Sequence, residues 1–267
     1  MSEALLDQAA GLRRLLRPSC LRSITVVGAE PSVDPSLVTA NLAAALTQHG
    51  RAVLLVECAG RPTATPKILG APGHGRAGEP ARSGPRALRA SFAGAQDVLR
   101  LVQTLDPAAK SADVLLIEAP PPADLACAAA SRELILSVSP STHGVTGSYR
   151  FLKRLYSRYG RRRVLVLVNQ AGSEAHAGRI FGNLSATCRR FLNLPVEYRG
   201  FIPDDERIER AARLRQPVTE AFPESGPALA WNACAERLLR WPYPGEDGFA
   251  EFASRLVAAA RLVAPQS

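Results

Sequence analysis

Residues 23–46, SITVVGAEPSVDPSLVTANLAAAL, decide the fold. The short β-branched run Ile24 to Val27 reads as a buried strand, Gly28 to Ser36 as a tight loop, and the Ala-rich run Leu37 to Leu46 as a helix. Strand, loop and helix in that order is where α/β proteins place phosphate-binding loops, because backbone N–H groups and a helix N-terminus converge there on an anion. Such a loop needs glycines for close backbone approach and a lysine for the phosphates. This one carries Glu30, Pro31, Asp34 and Pro35 instead. The stretch therefore predicts a nucleotide-binding architecture whose nucleotide site has decayed.

The same grammar continues outward from this unit. Val53 to Val56 reads as a second buried strand with Glu57 at its C-terminal end, and Asp113 to Ile117 as a third ending in Glu118, followed by the stiff loop APPPAD. Glu133 to Val138, Val164 to Val168 (ending in Asn169) and Tyr198 to Ile202 supply further strands. Helices are predicted over 95–105, 148–159, 175–192, 208–215 and 227–239. Strands alternating with helices imply an α/β fold, a doubly wound, mostly parallel sheet flanked by helices. In such sheets the ligand crevice lies beyond the C-terminal strand ends, so Glu57, Cys58 and Ala59 should flank the first loop. Residues 71–94, rich in Gly, Pro, Arg and Ser, read as a long surface loop with at best a short strand near Leu88 to Phe92.

Composition narrows the function classes. A hydrophobic content of 46% fits a globular chain, no apolar run approaches the ~20 residues of a membrane span, and the N-terminus lacks the apolar core of a signal peptide. Cys20, Cys58, Cys127, Cys188 and Cys234 are scattered without CxxC spacing, which argues for reduced thiols in a cytoplasmic protein and against a zinc site. The formal net charge of +9 is carried almost wholly by arginine, since lysine occurs only at Lys67, Lys110 and Lys153. Two readings fit it: a compositional bias, or a basic face for nucleic acid, anionic lipid or an acidic protein. No basic patch interleaved with aromatics singles out nucleic acid, so no specific nucleic-acid partner is expected.

Both ends carry amphipathic helices. Leu5, Ala9, Leu12 and Leu16 recur at helical spacing before Pro18, and this helix either packs on the domain or presents itself to a partner. After WPYPGEDG, residues 249–263 place Phe249, Phe252, Leu256, Val257, Ala260 and Val263 on one side of a last helix. It either docks on the core or lies on a membrane surface. The organisation expected is an N-terminal helix (1–19), an α/β domain (20–240) and a C-terminal linker and helix (241–267).

Read together, DQAAGLRRLL (7–16), VVGAEPSVDPSLVTANLAAAL (26–46), RAVLLVE (51–57), DVLLIEAP (113–120), VLVLVNQ (164–170) and FIPDDERIERAARLRQPVTEAFPES (201–225) resemble the MinD/ParA-type P-loop ATPases. More narrowly they resemble the FlhG (FleN) regulators of flagellar number and placement. The DQAxGLR arm and the FIPxDxxIxxAxRxRxPVxExxPxS block carry the narrower likeness, which runs from Asp7 to about Leu239. The family's loop, KGGxGK[ST], aligns on Gly28. The resemblance then puts its dimer-crossing lysine at Glu30, its phosphate lysine at Pro35 and its glycines at Ala29, Pro31, Ser32 and Asp34. Only Ser36 retains a residue type suited to Mg²⁺. The two aspartates of the next strand end become Glu57 and Ala59, the later strand's aspartate becomes Glu118, and Asn169 matches the adenine-contacting position.

These departures accumulate. Two prolines remove N–H donors from a cradle that works through them, and Glu30 and Asp34 set negative charge where a triphosphate would lie. A like-charge pair ~4 Å apart costs about 4 kcal/mol at an effective dielectric of about 20, roughly a thousandfold in affinity. The expectation is no cofactor, with ATP and Mg²⁺ held only weakly, and no catalytic residue. The resemblance assigns the intact DQAAGLR helix a role in activating an FlhF-like, signal-recognition-type GTPase. Gln8 would orient water beside GTP, as glutamines do in other GTPases, and Asp7, Leu12 and Arg13 would position the helix. It further implies flagellar basal-body or regulatory proteins as partners. The scattered cysteines place the chain in the cytoplasm, and a last helix lying on a membrane surface would set it at the inner face of the cytoplasmic membrane, with contact through 249–263. Two alternatives stay open: an ATPase working through an unconventional loop, and an adaptor for another polar or membrane assembly.

Overall fold

The apolar runs form β1 (Arg22–Gly28), β2 (Val53–Cys58), β3 (Arg86–Ala90), β4 (Val114–Glu118), β5 (Glu133–Val138), β6 (Arg163–Ala171) and β7 (Glu197–Pro203). The computed structural model describes residues 21–28, 30, 35–58, 85–90, 95–121, 123–160, 163–240 and 248–263. The predicted N-terminal helix with Asp7, Gln8, Leu12 and Arg13 lies outside these residues, as do Asp34, Ala59 and most of the predicted 71–94 loop. The strands make one sheet in the order β3-β2-β4-β1-β5-β6-β7, every neighbouring pair parallel. The order reverses at β1, where open α/β sheets open their ligand crevice.

The helices are α1 (Pro35–Gln48), α2 (Ala95–Ala109), α3 (Asp124–Ala130), α4 (Thr142–Tyr159), α5 (Glu174–Leu192), α6 (Glu206–Arg213), α7 (Val218–Ala221), α8 (Gly226–Arg240) and α9 (Phe249–Val263). Strands buried on both faces alternate their side chains between two cores. Leu54, Val56, Leu134, Leu136, Val164 and Val166 face α2, α3, α4, α5 and α9. Val53, Leu55, Val114, Leu116, Leu165 and Leu167 face α1, α6, α7 and α8.

Two elements escaped the sequence. In α3, DLACAAA, all seven residues are buried, so the segment shows no periodicity to read. The four-residue α7 is a single turn tied by the Asn41 side chain, whose Oδ1 accepts from the Val218 N–H at 2.7 Å. α4 also begins at Thr142, six residues before the predicted start, because Ser141 caps it by accepting from the Gly144 N–H at 2.9 Å.

At the N-terminal strand ends, opposite the crevice, charged side chains replace apolar ones. Arg22 donates from Nε and Nη2 to both Glu133 carboxylate oxygens (2.6 and 2.9 Å). Arg163 donates to Glu133 at 3.0 Å and to Glu197 at 3.0 Å, and Arg199 donates to Glu197 at 2.7 Å. This alternating ladder ties β1, β5, β6 and β7 together, and Arg22 Nη1 adds the Leu238 carbonyl at the end of α8 (2.7 Å).

The last helix is docked. Phe252 and Leu256 of α9 are each 1% exposed against α3 and α2. Arg255 Nε donates to the Ala130 carbonyl at 2.7 Å, and the Tyr159 hydroxyl donates to the Ala259 carbonyl at 3.0 Å.

Candidate functional site

The loops at the C-terminal ends of β1, β2, β4 and β5 define the crevice. Glu118 and Glu57 are register partners on adjacent strands, and each is 1% exposed. Strand alternation turns both toward α1, on the side of Leu55 and Leu116. α1 opens with Pro35 at its first position, where a missing N–H costs nothing, and its second residue is Ser36. The buried Ser36 hydroxyl donates to Glu118 Oε1 at 2.8 Å. The structure thus brings Ser36 onto Glu118, with Glu57 beside Glu118 in the strand register.

Gly28 closes β1 in register with Ser137 of β5. Beyond it, Glu30 is anchored within the chain: its Oε2 accepts from the Ser139 hydroxyl at 2.8 Å. Ser139 lies 2.9 Å from the Ser141 hydroxyl, the cap of α4, so the β1–α1 loop is joined to the start of α4 through three side chains. Gly144 is required there, since a Cβ would stand 2.4 Å from the Ser139 carbonyl oxygen. The sequence reading missed Ser139 and Ser141. The signal was present as a Ser-x-Ser-Thr run ahead of the helix, which is N-cap chemistry.

Asn169 stands apart from that cluster, half-buried near the end of β6, two strands over from β1. The next residue, Gln170, has φ 57°, where the β6–β7 register shifts. The Asp204 N–H then closes onto the Ala171 carbonyl at 3.2 Å.

Below the crevice, the Cys127 thiol of α3 donates to Cys58 at the end of β2, with sulfurs 3.7 Å apart. That hydrogen bond, together with burial, holds the Cys127 thiol well above the usual thiol range. Among the described residues no group of three or more His, Cys, Asp or Glu is placed to hold a metal ion.

No protein-family model matches the chain. It is 29% identical over 256 residues to the antiactivator FleN of Pseudomonas aeruginosa, covering 86% of this chain and 90% of FleN. The chain is similar to FleN along most of its length. Among solved structures, the septum site-determining protein MinD of Pyrococcus horikoshii, complexed with Mg-ADP, superimposes with a TM-score of 0.63 at 19% identity, over 82% of this chain and 96% of MinD. MinD from the MinC:MinD complex of Aquifex aeolicus gives 0.64 at 18% identity, over 85% and 99%. A ParA family ATPase from Chlorobium tepidum gives 0.61 at 18%, over 80% and 98%. The seven-stranded parallel sheet and its two helical layers are thus a fold shared with these MinD and ParA structures. No helix of the described residues is long and apolar enough to cross a membrane.

Proposed function

We propose that this protein is an FlhG/FleN-like regulator of flagellar number and placement that acts through protein contacts and has lost ATP-driven switching. The likeness to an antiactivator over most of the chain supports the regulatory reading. One observation carries the loss of the switch: the residues at the nucleotide-facing positions bond to their own chain. Glu30, in place of a lysine, takes the Ser139 hydroxyl, and Ser36 gives its hydroxyl to Glu118. A magnesium triphosphate placed there would meet the Glu30 carboxylate where the family carries a lysine, in a loop with no lysine between Gly28 and Ser36. The residues present do not fit that group, and no hydrolytic step is assigned to them.

The DQAAGLR helix is the active element in this reading. Gln8 enters the site of an FlhF-like GTPase and orients the attacking water, with Asp7, Leu12 and Arg13 fixing the helix. Other flagellar basal-body or regulatory proteins would meet the folded domain. Membrane contact through 249–263 would require α9 to leave α3, and with it the buried seats of Phe252 and Leu256. The experiment is GTP hydrolysis by the cognate GTPase with the full chain and its Gln8→Ala variant. Stimulation by the wild type that is lost in the variant supports the mechanism, and equal stimulation by both rejects it. A working ATPase with an unconventional loop would instead show ATP turnover that disappears in Ser36→Ala. Capture from cells of a polar assembly lacking any flagellar protein or GTPase would favour the adaptor reading.

A further inference from the structure

We infer that the groove between α2 and α9 is a docking seat for this chain's own N-terminal arm, residues 4–17, and that docking withholds the arm from its partner. The groove, about 390 Å³, is lined by Val102 of α2 and by Ala253, Ser254, Val257, Ala258 and Arg261 of α9. Val102 and Val257 are half-buried and Ala258 is exposed. Leu99, one turn from Val102 on α2, is 56% exposed. Among the described residues this apolar strip lies open at the surface.

Reach, pattern and charge select the arm as occupant. Leu21 joins the same core as Leu105, Ala108 and Ala109 of α2, and the Arg22 N–H donates to the Asp113 carbonyl at 3.0 Å, just past that helix. The chain therefore enters β1 beside the C-terminal end of α2. Val102 lies about 10 Å back along α2 from Ala109, and residues 18–20, extended, span about 10 Å. A helix over 4–17 would be about 21 Å long, against about 22 Å for the fifteen-residue α2. Its stripe of Leu5, Ala9, Leu12 and Leu16 is the narrow apolar face that a two-helix groove accepts. At about 100° per residue, Arg13 and Arg17 share one flank of that stripe. The α2 rim offers them Asp106, one turn beyond Val102, whose pairing with Lys110 at 3.0 Å is exposed and weak. Seated this way, Leu12 enters the groove while Gln8 and Arg13 line its walls. The proposed GTPase activation uses those same residues, so docking and activation exclude each other. That consequence rests on the Gln8 reading, whereas the docking does not.

The test is amide hydrogen exchange of residues 5–16 in the full chain, compared between wild type and Ala258→Trp, which fills the groove. Ala258 is exposed, so this variant should melt with the wild type. The arm should exchange at least tenfold more slowly in the wild type. Arg13→Glu/Arg17→Glu should lose several-fold of that protection, and adding Asp106→Arg should restore it. Wild-type exchange at the rate of an unstructured chain, or equal protection in Ala258→Trp, would overturn the assignment. Protection that grows with protein concentration would also overturn it, giving the groove to a second copy. In the GTPase assay Ala258→Trp should stimulate several-fold more than the wild type. Protection lost in Ala258→Trp supports the docking even where GTP hydrolysis responds to neither protein, a result that would reject the Gln8 reading alone.

Discussion

Glu133 has no exposed side-chain surface, yet it is the acceptor shared by Arg22 and Arg163. An ion in that position is held only by its partners, and removing it leaves two largely buried guanidinium groups facing each other. Glu133→Ala should therefore lower stability by about 3–5 kcal/mol in chemical denaturation. Asp124 tests burial in the other direction. Desolvation raises its carboxyl above the usual aspartate range, outweighing the α3 backbone N–H groups and Arg154. An acid raised in the folded state binds its proton more tightly there than in the unfolded chain, so it costs stability increasingly as pH rises from its unfolded value through its folded one. Asp124→Asn should gain stability relative to wild type across that window and keep the gain at neutral pH. A gain that instead appears only under acid conditions would refute the burial account. Of the site, Ser36, Glu57 and Glu118 were legible because strand ends and helix starts are written in apolar periodicity. Ser139 was not, because its role depends on Glu30, 109 residues away, and no local pattern records that meeting.

At the scale of elements, the buried strands and the long helices were readable from their hydrophobic runs, whereas α3 and the start of α4 were not. α3 is buried on every side, and the glycines at 144 and 147 weaken the apparent helix propensity of α4 while Ser141 and close packing enforce it. Gly144→Ala would drive a Cβ into the Ser139 carbonyl and should cost about 1–3 kcal/mol in denaturant melts. It should also disturb the Glu30–Ser139 junction more than a matched Ala substitution at the exposed Gly178. The docking of α9 is equally specific. Phe252→Ala should remove about 3–5 kcal/mol, the cost of emptying an aromatic core position. A negligible loss would mean that α9 is not held on α3 in solution.

At the scale of the molecule, the sheet keeps its polarity: a charged ladder closes one end, and at the other Glu30 and Ser36 bond to Ser139 and Glu118 of the same chain. Cysteine chemistry reports on the intactness of that packing. Cys58, Cys127, Cys188 and Cys234 are free and buried, with Cys188 and Cys234 pushed by burial up to about 11. All four should resist a thiol reagent at neutral pH until the chain is unfolded, and rapid native labelling of any of them would show an opening that the packing does not allow. The proposed regulator keeps this fold without a nucleotide. Calorimetric titration of Mg-ATP into the full chain tests it most directly. The account predicts no saturable heat up to millimolar nucleotide, whereas a micromolar dissociation constant that is abolished by Ser36→Ala would contradict it.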